Sequence, residues 1–119
     1  MISIIVPCYN EQEALPFFHE EVSRVLKEIG EDYELLFVND GSKDDTLKEL
    51  KALSTKDPHV IYLSFSRNFG KEAAMYAGFC NAKGDYIAVM DADLQDPPAL
   101  LPEMLKMLET DEYDSVATR

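Results

Sequence analysis

Basic residues are scarce: 11 Lys+Arg stand against 23 Asp+Glu, for a formal net charge of −12. That balance excludes a non-specific nucleic-acid binder, which needs a basic face to displace counterions. It also speaks against unaided docking on an anionic membrane surface. Long apolar runs are missing too. The longest, such as Leu35 to Val38, are strand-length, far short of the roughly 20 residues a spanning helix needs. Met1 leads straight into a β-type run with no basic stretch before it, so no signal peptide is expected. There are only 2 cysteines, Cys8 and Cys80, 72 positions apart. They form neither a disulfide framework nor a metal-ligand spacing, and read as free, buried thiols in a reducing cytosol. What remains is 119 residues, 46% hydrophobic and 29% charged, enough for one soluble domain with a core.

Two periodicities alternate along the chain. Ile2 to Cys8, Glu34 to Asn39, Val60 to Phe65 and Tyr86 to Met90 are short, near-continuous apolar runs, as strands of a sheet covered on both faces require. Between them, Leu15, Phe18, Val22, Val25 and Ile29 keep the spacing of one buried helix face, with Gly30 at its end. Leu47, Leu50 and Leu53 mark a second helix that stops before Pro58. Glu72 to Ala82 is a third, with small residues (Ala73, Ala74, Ala77, Gly78) suited to close packing. Leu100, Leu101, Met104, Leu105 and Leu108 mark a fourth, opened by Pro97 and Pro98, and Tyr113 to Thr118 begins a fifth strand. The order predicts a Rossmann-like, doubly wound α/β fold with a mostly parallel sheet. The last strand ends the sequence with no closing helix, so residues 1–119 read as a domain cut after Arg119.

In such sheets ligands bind beyond the carboxyl ends of the strands. Polar residues gather there after every strand: Pro7, Tyr9, Asn10 and Glu11; Asp40, Gly41 and Ser42; Arg67, Asn68 and Lys71; Asp91, Asp93 and Gln95. Each has a plainer role available. Asn10, Glu11 and the 40–44 acids suit helix caps, Arg67 and Lys71 suit solvated surface, and Tyr9 suits packing. His19 and His59 have no partners at ligand spacing. The pair Asp91-x-Asp93 is harder to assign to structure. In extended backbone both carboxylates point the same way and repel, and a hard divalent cation relieves that repulsion. Mg²⁺ or Mn²⁺ bound by one or two carboxylates completes its shell with water and phosphate oxygens, so a nucleoside diphosphate is the natural third party.

The segments IIVPCYNE, FVNDGSKDDT, SRNFGKEAAMYAGF and GDYIAVMDADLQDPP occur in the order and spacing of family-2 glycosyltransferases of the GT-A fold. RNFGKEAA and DADLQDPP most resemble the polyprenyl-phosphate (dolichyl- or undecaprenyl-phosphate) hexosyltransferases. The resemblance covers essentially the whole chain. It implies that Pro7, Tyr9, Asn10 and Glu11 line the nucleoside pocket, that Asp40 contacts the base, and that Lys71 lies near the nucleotide with Arg67 beside it. It further implies Asp91 on the ribose side and at the metal, Asp93 on the metal–diphosphate group, Gln95 beside the sugar, and Arg119 facing the diphosphate. Asp91 and Asp93 would be the catalytic pair, with Mg²⁺ or Mn²⁺ as cofactor.

The activity implied is inverting transfer of a hexose from a UDP-glucose- or GDP-mannose-type donor to a polyprenyl phosphate, as in cell-wall or lipopolysaccharide assembly. A sugar hydroxyl is the alternative acceptor. Acceptor and membrane contacts would then follow Arg119, at the cytoplasmic face of a membrane. Two other readings compete: a receiver-type phosphoacceptor module, and a nucleotide-binding fragment inactive in transfer. The receiver needs an acidic pair after the first strand, where this chain has Cys8, Tyr9 and Asn10.

Overall fold

A computed structural model describes residues 1–92 and the strand at 115–117. In chain order the elements are β1 (Ile2–Cys8), α1 (Leu15–Ile29), β2 (Tyr33–Asn39), α2 (Thr46–Lys56), β3 (Val60–Ser64), α3 (Lys71–Asn81), β4 (Tyr86–Val89) and β5 (Ser115–Ala117). The sheet order is β3-β2-β1-β4-β5, with every neighbouring pair parallel. The doubly wound α/β expectation is met, with strand ends within about two residues of those read from the sequence. The expected helix around Leu100 to Leu108 lies outside the described residues. Strand order reverses between β1 and β4, which is where such a sheet opens a crevice at its carboxyl edge.

The two sheet faces are filled differently. On one, Ile2, Ile4, Val6, Leu35 and Phe37 meet Leu15, Phe18, Val22 and Leu26 of α1 and Leu50 of α2, all almost fully buried. Phe18 and Phe37 meet edge to face, with centroids 5.9 Å apart. Burying each such side chain stabilises the fold by about 1.5–3 kcal/mol before entropy is counted. The α1 stripe read from the sequence is this face, and Gly30 ends the helix in the left-handed region at φ 80°, its N–H bonded to the Leu26 carbonyl.

On the other face α3 lies against β1 and β2 with small residues inward. A Cβ at Gly78 would run into the Ile5 side chain, so the helix sits closer to the strand than any larger residue permits. The outer side of α3 carries Cys80, which is exposed; only Cys8 of the two free thiols is buried. The sequence expectation of two buried thiols fails there because Cys80 points away from the sheet.

The amino edge of the sheet is closed by polar groups that satisfy one another. Glu34, 4% exposed, accepts the Ser3 hydroxyl and the Lys83 N–H (2.7 Å), while Ser3 Oγ accepts the Gly84 N–H (2.8 Å). The two histidines, which have no partners at metal-ligand spacing in the sequence, share one carboxylate. His19 Nε2 and His59 Nδ1 each lie 2.8 Å from an oxygen of Asp57, and the His59 ring stacks on Tyr33. Packing of α1 beside α2 brings His19 there from 38 positions away. Burial works to raise the Asp57 pKa, but hydrogen bonds from the His59 N–H and both imidazoles outweigh it and hold the carboxyl below its ordinary value.

Candidate functional site

At the carboxyl edge, a cavity of about 270 Å³ opens between the ends of β1 and β4. Its lining is Pro7, Cys8, Tyr9, Glu11, Asp40, Lys71, Asp91 and Ala92. Six of these were singled out from sequence: Pro7, Tyr9, Glu11, Asp40, Lys71 and Asp91. Cys8 and Ala92 were not, because an apolar side chain at a strand end carries no chemical signal. Alternation along β1 and β4 nevertheless puts them beside residues that do. Burial, with Glu11 nearby, pushes the Cys8 thiol far above its usual range, so it lines the cavity as an apolar group.

Asp91 follows β4, and its carboxylate keeps 17% of its surface exposed. Lys71, the first residue of α3, sets its ammonium 2.8 Å from Asp91 Oδ1. One acidic and one basic side chain thus meet on the cavity wall. Asp40 also lines the cavity, but it is 4% exposed and both its oxygens are engaged. They accept the Phe69 N–H (2.8 Å) and the Gly70 N–H (3.1 Å), and the Asp40 carbonyl accepts the Asn68 amide (3.3 Å). Gly41, at φ 68°, lies so close to the Arg67–Asn68 backbone that a Cβ there would collide with it.

Asn10 and Arg67 lie off this cavity. Asn10 has φ 53°, a left-handed conformation asparagine tolerates, and laces the β1–α1 loop to the β2–α2 loop. Its N–H donates to Ser42 Oγ and its amide oxygen accepts the Lys43 N–H, both at 2.9 Å. Gln12 and the 44–45 acids repeat the exchange: the Gln12 N–H donates to Asp44, and Gln12 Oε1 accepts the Asp45 N–H. Glu11 N–H donates to Thr46 Oγ1 at 2.9 Å. Arg67 stacks over the Phe69 ring, 4.7 Å from its centroid. Asp93, Gln95 and Arg119 lie outside the described residues. Among the described residues no three His, Cys, Asp or Glu side chains group as a ready metal site, and no helix is long and apolar enough to cross a membrane.

Comparison with known proteins adds to this geometry. The family described as "Glycosyl transferase family 2" matches residues 3–119. The chain is 51% identical over 116 residues to a putative glycosyltransferase, CsbB, of Bacillus subtilis, covering 98% of this chain and 35% of that protein. It is 41% identical over 119 residues to the undecaprenyl-phosphate 4-deoxy-4-formamido-L-arabinose transferase of Proteus mirabilis, covering 99% of this chain and 36% of that one. The chain therefore spans about a third of the length of these relatives. Among solved structures it superposes on the mannosyltransferase PcManGT of Pyrobaculum calidifontis, in complex with GDP-Man and Mn²⁺, with a TM-score of 0.70. That match has 23% identity and covers 90% of this chain and 32% of the other. A sheet that reverses at β1/β4, a cavity at that reversal, and a family match along nearly the whole chain agree: this protein belongs to glycosyl transferase family 2.

Proposed function

We propose that residues 1–119 form the donor-binding part of a hexosyltransferase that moves a sugar from a nucleoside-diphosphate donor to a polyprenyl phosphate, with inversion. The observation that carries this reading is the meeting of Asp91 and Lys71 on a cavity at the strand-order reversal. Support for the acceptor comes from the named specificity of the Proteus relative, and support for a nucleotide sugar and a divalent cation from the ligands of the Pyrobaculum neighbour.

Pro7, Tyr9 and Glu11 supply a wall for the nucleoside, with Tyr9 exposed enough (41%) to offer its ring face. Asn10 and Arg67 would serve that wall from behind, Asn10 by fixing its loop. Asp91, a hard oxygen donor on the cavity, fits Mg²⁺ or Mn²⁺, and Asp93 would complete the pair. Such an ion, when bound, stabilises the negative charge that builds on a departing diphosphate. Lys71 adds a cation to the same charge, and Arg119 would add another, with Gln95 beside the sugar. A phosphate-monoester acceptor, its second pKa near about 6, is largely dianionic at neutral pH and attacks without a protein base. In the longer protein, membrane contact at the cytoplasmic face would fall to the part beyond this chain.

Melting the chain with UDP or GDP in the presence of Mn²⁺ or Mg²⁺ tests the reading. One nucleotide–metal pair raises the melting temperature, and Asp93→Ala removes the metal-dependent share. A flat response to both nucleotides overturns it.

A further inference from the structure

We infer that Thr46 is a positioning residue for Glu11: its hydroxyl, oriented by Asp44, fixes the backbone from which the Glu11 side chain reaches the nucleoside wall of the cavity. The inference rests on the donor-site reading above and extends it to two residues that do not themselves line that cavity.

Glu11 stands between two helices and is tied to both. Its carbonyl accepts the Ala14 and Leu15 N–H groups, each at 3.1 Å, where α1 begins. Its N–H donates to Oγ1 of Thr46, the first residue of α2, at 2.9 Å. Both backbone groups of Glu11 are therefore held, and its side chain leaves from a fixed point on the cavity wall. Burial first, and the Glu11 charge second, raise the pKa of the Cys8 thiol on the same wall, so the Glu11 carboxylate lies close to it.

Thr46 is fully buried. Its hydroxyl has one proton, which it donates to Asp44 Oδ1. An ionised carboxylate can only accept, so it fixes the hydroxyl as a donor on one side and leaves its lone pairs to the Glu11 N–H on the other. Asp44 is held in that ionised form. Desolvation works to raise its pKa, but hydrogen bonds from the Thr46 hydroxyl, the Thr46 N–H and the Gln12 N–H outweigh it and keep the carboxyl below its ordinary value.

Capping α2 does not account for this arrangement. A cap needs the Thr46 N–H on Asp44 Oδ1, and that bond is present at 3.0 Å. It does not need the hydroxyl to be carried on to an amide 35 positions earlier, in the loop that lines the cavity.

The test measures binding by calorimetry with Mn²⁺ and three probes: UDP, GDP and inorganic pyrophosphate, which has no nucleoside. The proteins are wild type, Thr46→Val, Thr46→Ser, Glu11→Ala and the double variant Thr46→Val/Glu11→Ala. Thr46→Val keeps the shape but gives the Glu11 N–H no acceptor. It weakens the nucleotide that binds by about tenfold and leaves pyrophosphate unchanged. Thr46→Ser restores most of that loss, because the hydroxyl carries the effect. The double variant is no weaker than Glu11→Ala alone. Amide exchange at Glu11 quickens in Thr46→Val and slows again in Thr46→Ser. An equal loss for pyrophosphate, a serine variant as weak as the valine one, or additive losses in the double variant overturns the inference. So does nucleotide binding that is indifferent to Glu11→Ala. Should Thr46→Val not fold, Asp44→Asn is read on the same probes, at a side chain that is exposed. It offers the Thr46 hydroxyl a weaker acceptor, so a smaller loss confined to the nucleotide supports the inference, and no loss or one shared by pyrophosphate overturns it. A wild-type chain that binds none of the probes refutes the donor-site reading itself, which is a different result from a loss shared by all of them.

Discussion

At the start of α3, Asp40 accepts two backbone amides and Gly41 admits the loop; at its end, Glu34 accepts one amide and Gly84 fits against Ser3 and the Met1 carbonyl. Glu34 lies near the start of β2 and Asp40 directly follows its last residue, six positions on, a span of about 20 Å. An 11-residue helix is about 16 Å long, so the strand brackets α3 at both ends. Chemistry and burial are alike, but only the first bracket is next to the cavity. The same kind of buried side chain therefore serves stability at one end and, at the other, lines the cavity of the proposed donor site. A buried carboxylate is not by itself a sign of function; its meaning comes from what the element it holds goes on to touch.

The harshest way to break this pairing is to fill its glycines. Gly41→Ala puts a methyl group into the Arg67–Asn68 backbone at a positive φ, and is expected to cost about 3 kcal/mol or more in urea unfolding. It should also weaken Mn²⁺–UDP or Mn²⁺–GDP binding in whatever fraction stays folded. Gly84→Ala meets Ser3 and the Met1 carbonyl instead, is expected to cost about 1–3 kcal/mol, and should leave nucleotide affinity unchanged. Equal binding losses in the two would erase the distinction between the brackets.

Next in size is Glu34→Gln, which leaves the Lys83 N–H and the Ser3 hydroxyl with a weaker acceptor. A loss of about 1–3 kcal/mol is expected from chemical denaturation, with no change in calorimetric affinity.

The smallest effect belongs to a third carboxylate that brackets no part of α3. Asp57→Asn should cost about 1 kcal/mol at neutral pH by loosening His19 and His59. The Asp57 pKa is depressed in the fold, so its contribution is present above the unfolded value near about 4 and is lost as pH falls through the lower folded value. Unfolding curves of wild type and variant should therefore converge in acid. A gap that persists there would mean that the carboxyl owes its role to shape and not to charge.

The strands and the α1 stripe were legible because burial on a sheet imposes short apolar runs and helix packing imposes the spacing of Leu15, Phe18, Val22 and Val25. The cavity residues were legible because polar groups follow each strand at one sheet edge. The partners of His19 and His59 were not, since their meeting at Asp57 depends on how α1 crosses α2, which no local spacing encodes. Nor was the engagement of Asp40: the sequence shows a carboxylate after a strand, while its amide partners come from 29 and 30 positions away. Cys80 was misjudged because composition says how many thiols a chain has and not which way a helix turns them.

The lacing of residues 10–12 to residues 42–46 bears on how this site can be exchanged between relatives. Hydrogen bonds run in both directions across the two loops, from backbone to side chain each time. Neither loop carries its own conformation alone; each is the mould for the other. A chimera that takes the first loop from one family member and the second from another would join two halves cut to different patterns. On the proposed reading, donor preference would transplant only if both loops travelled together as one cassette.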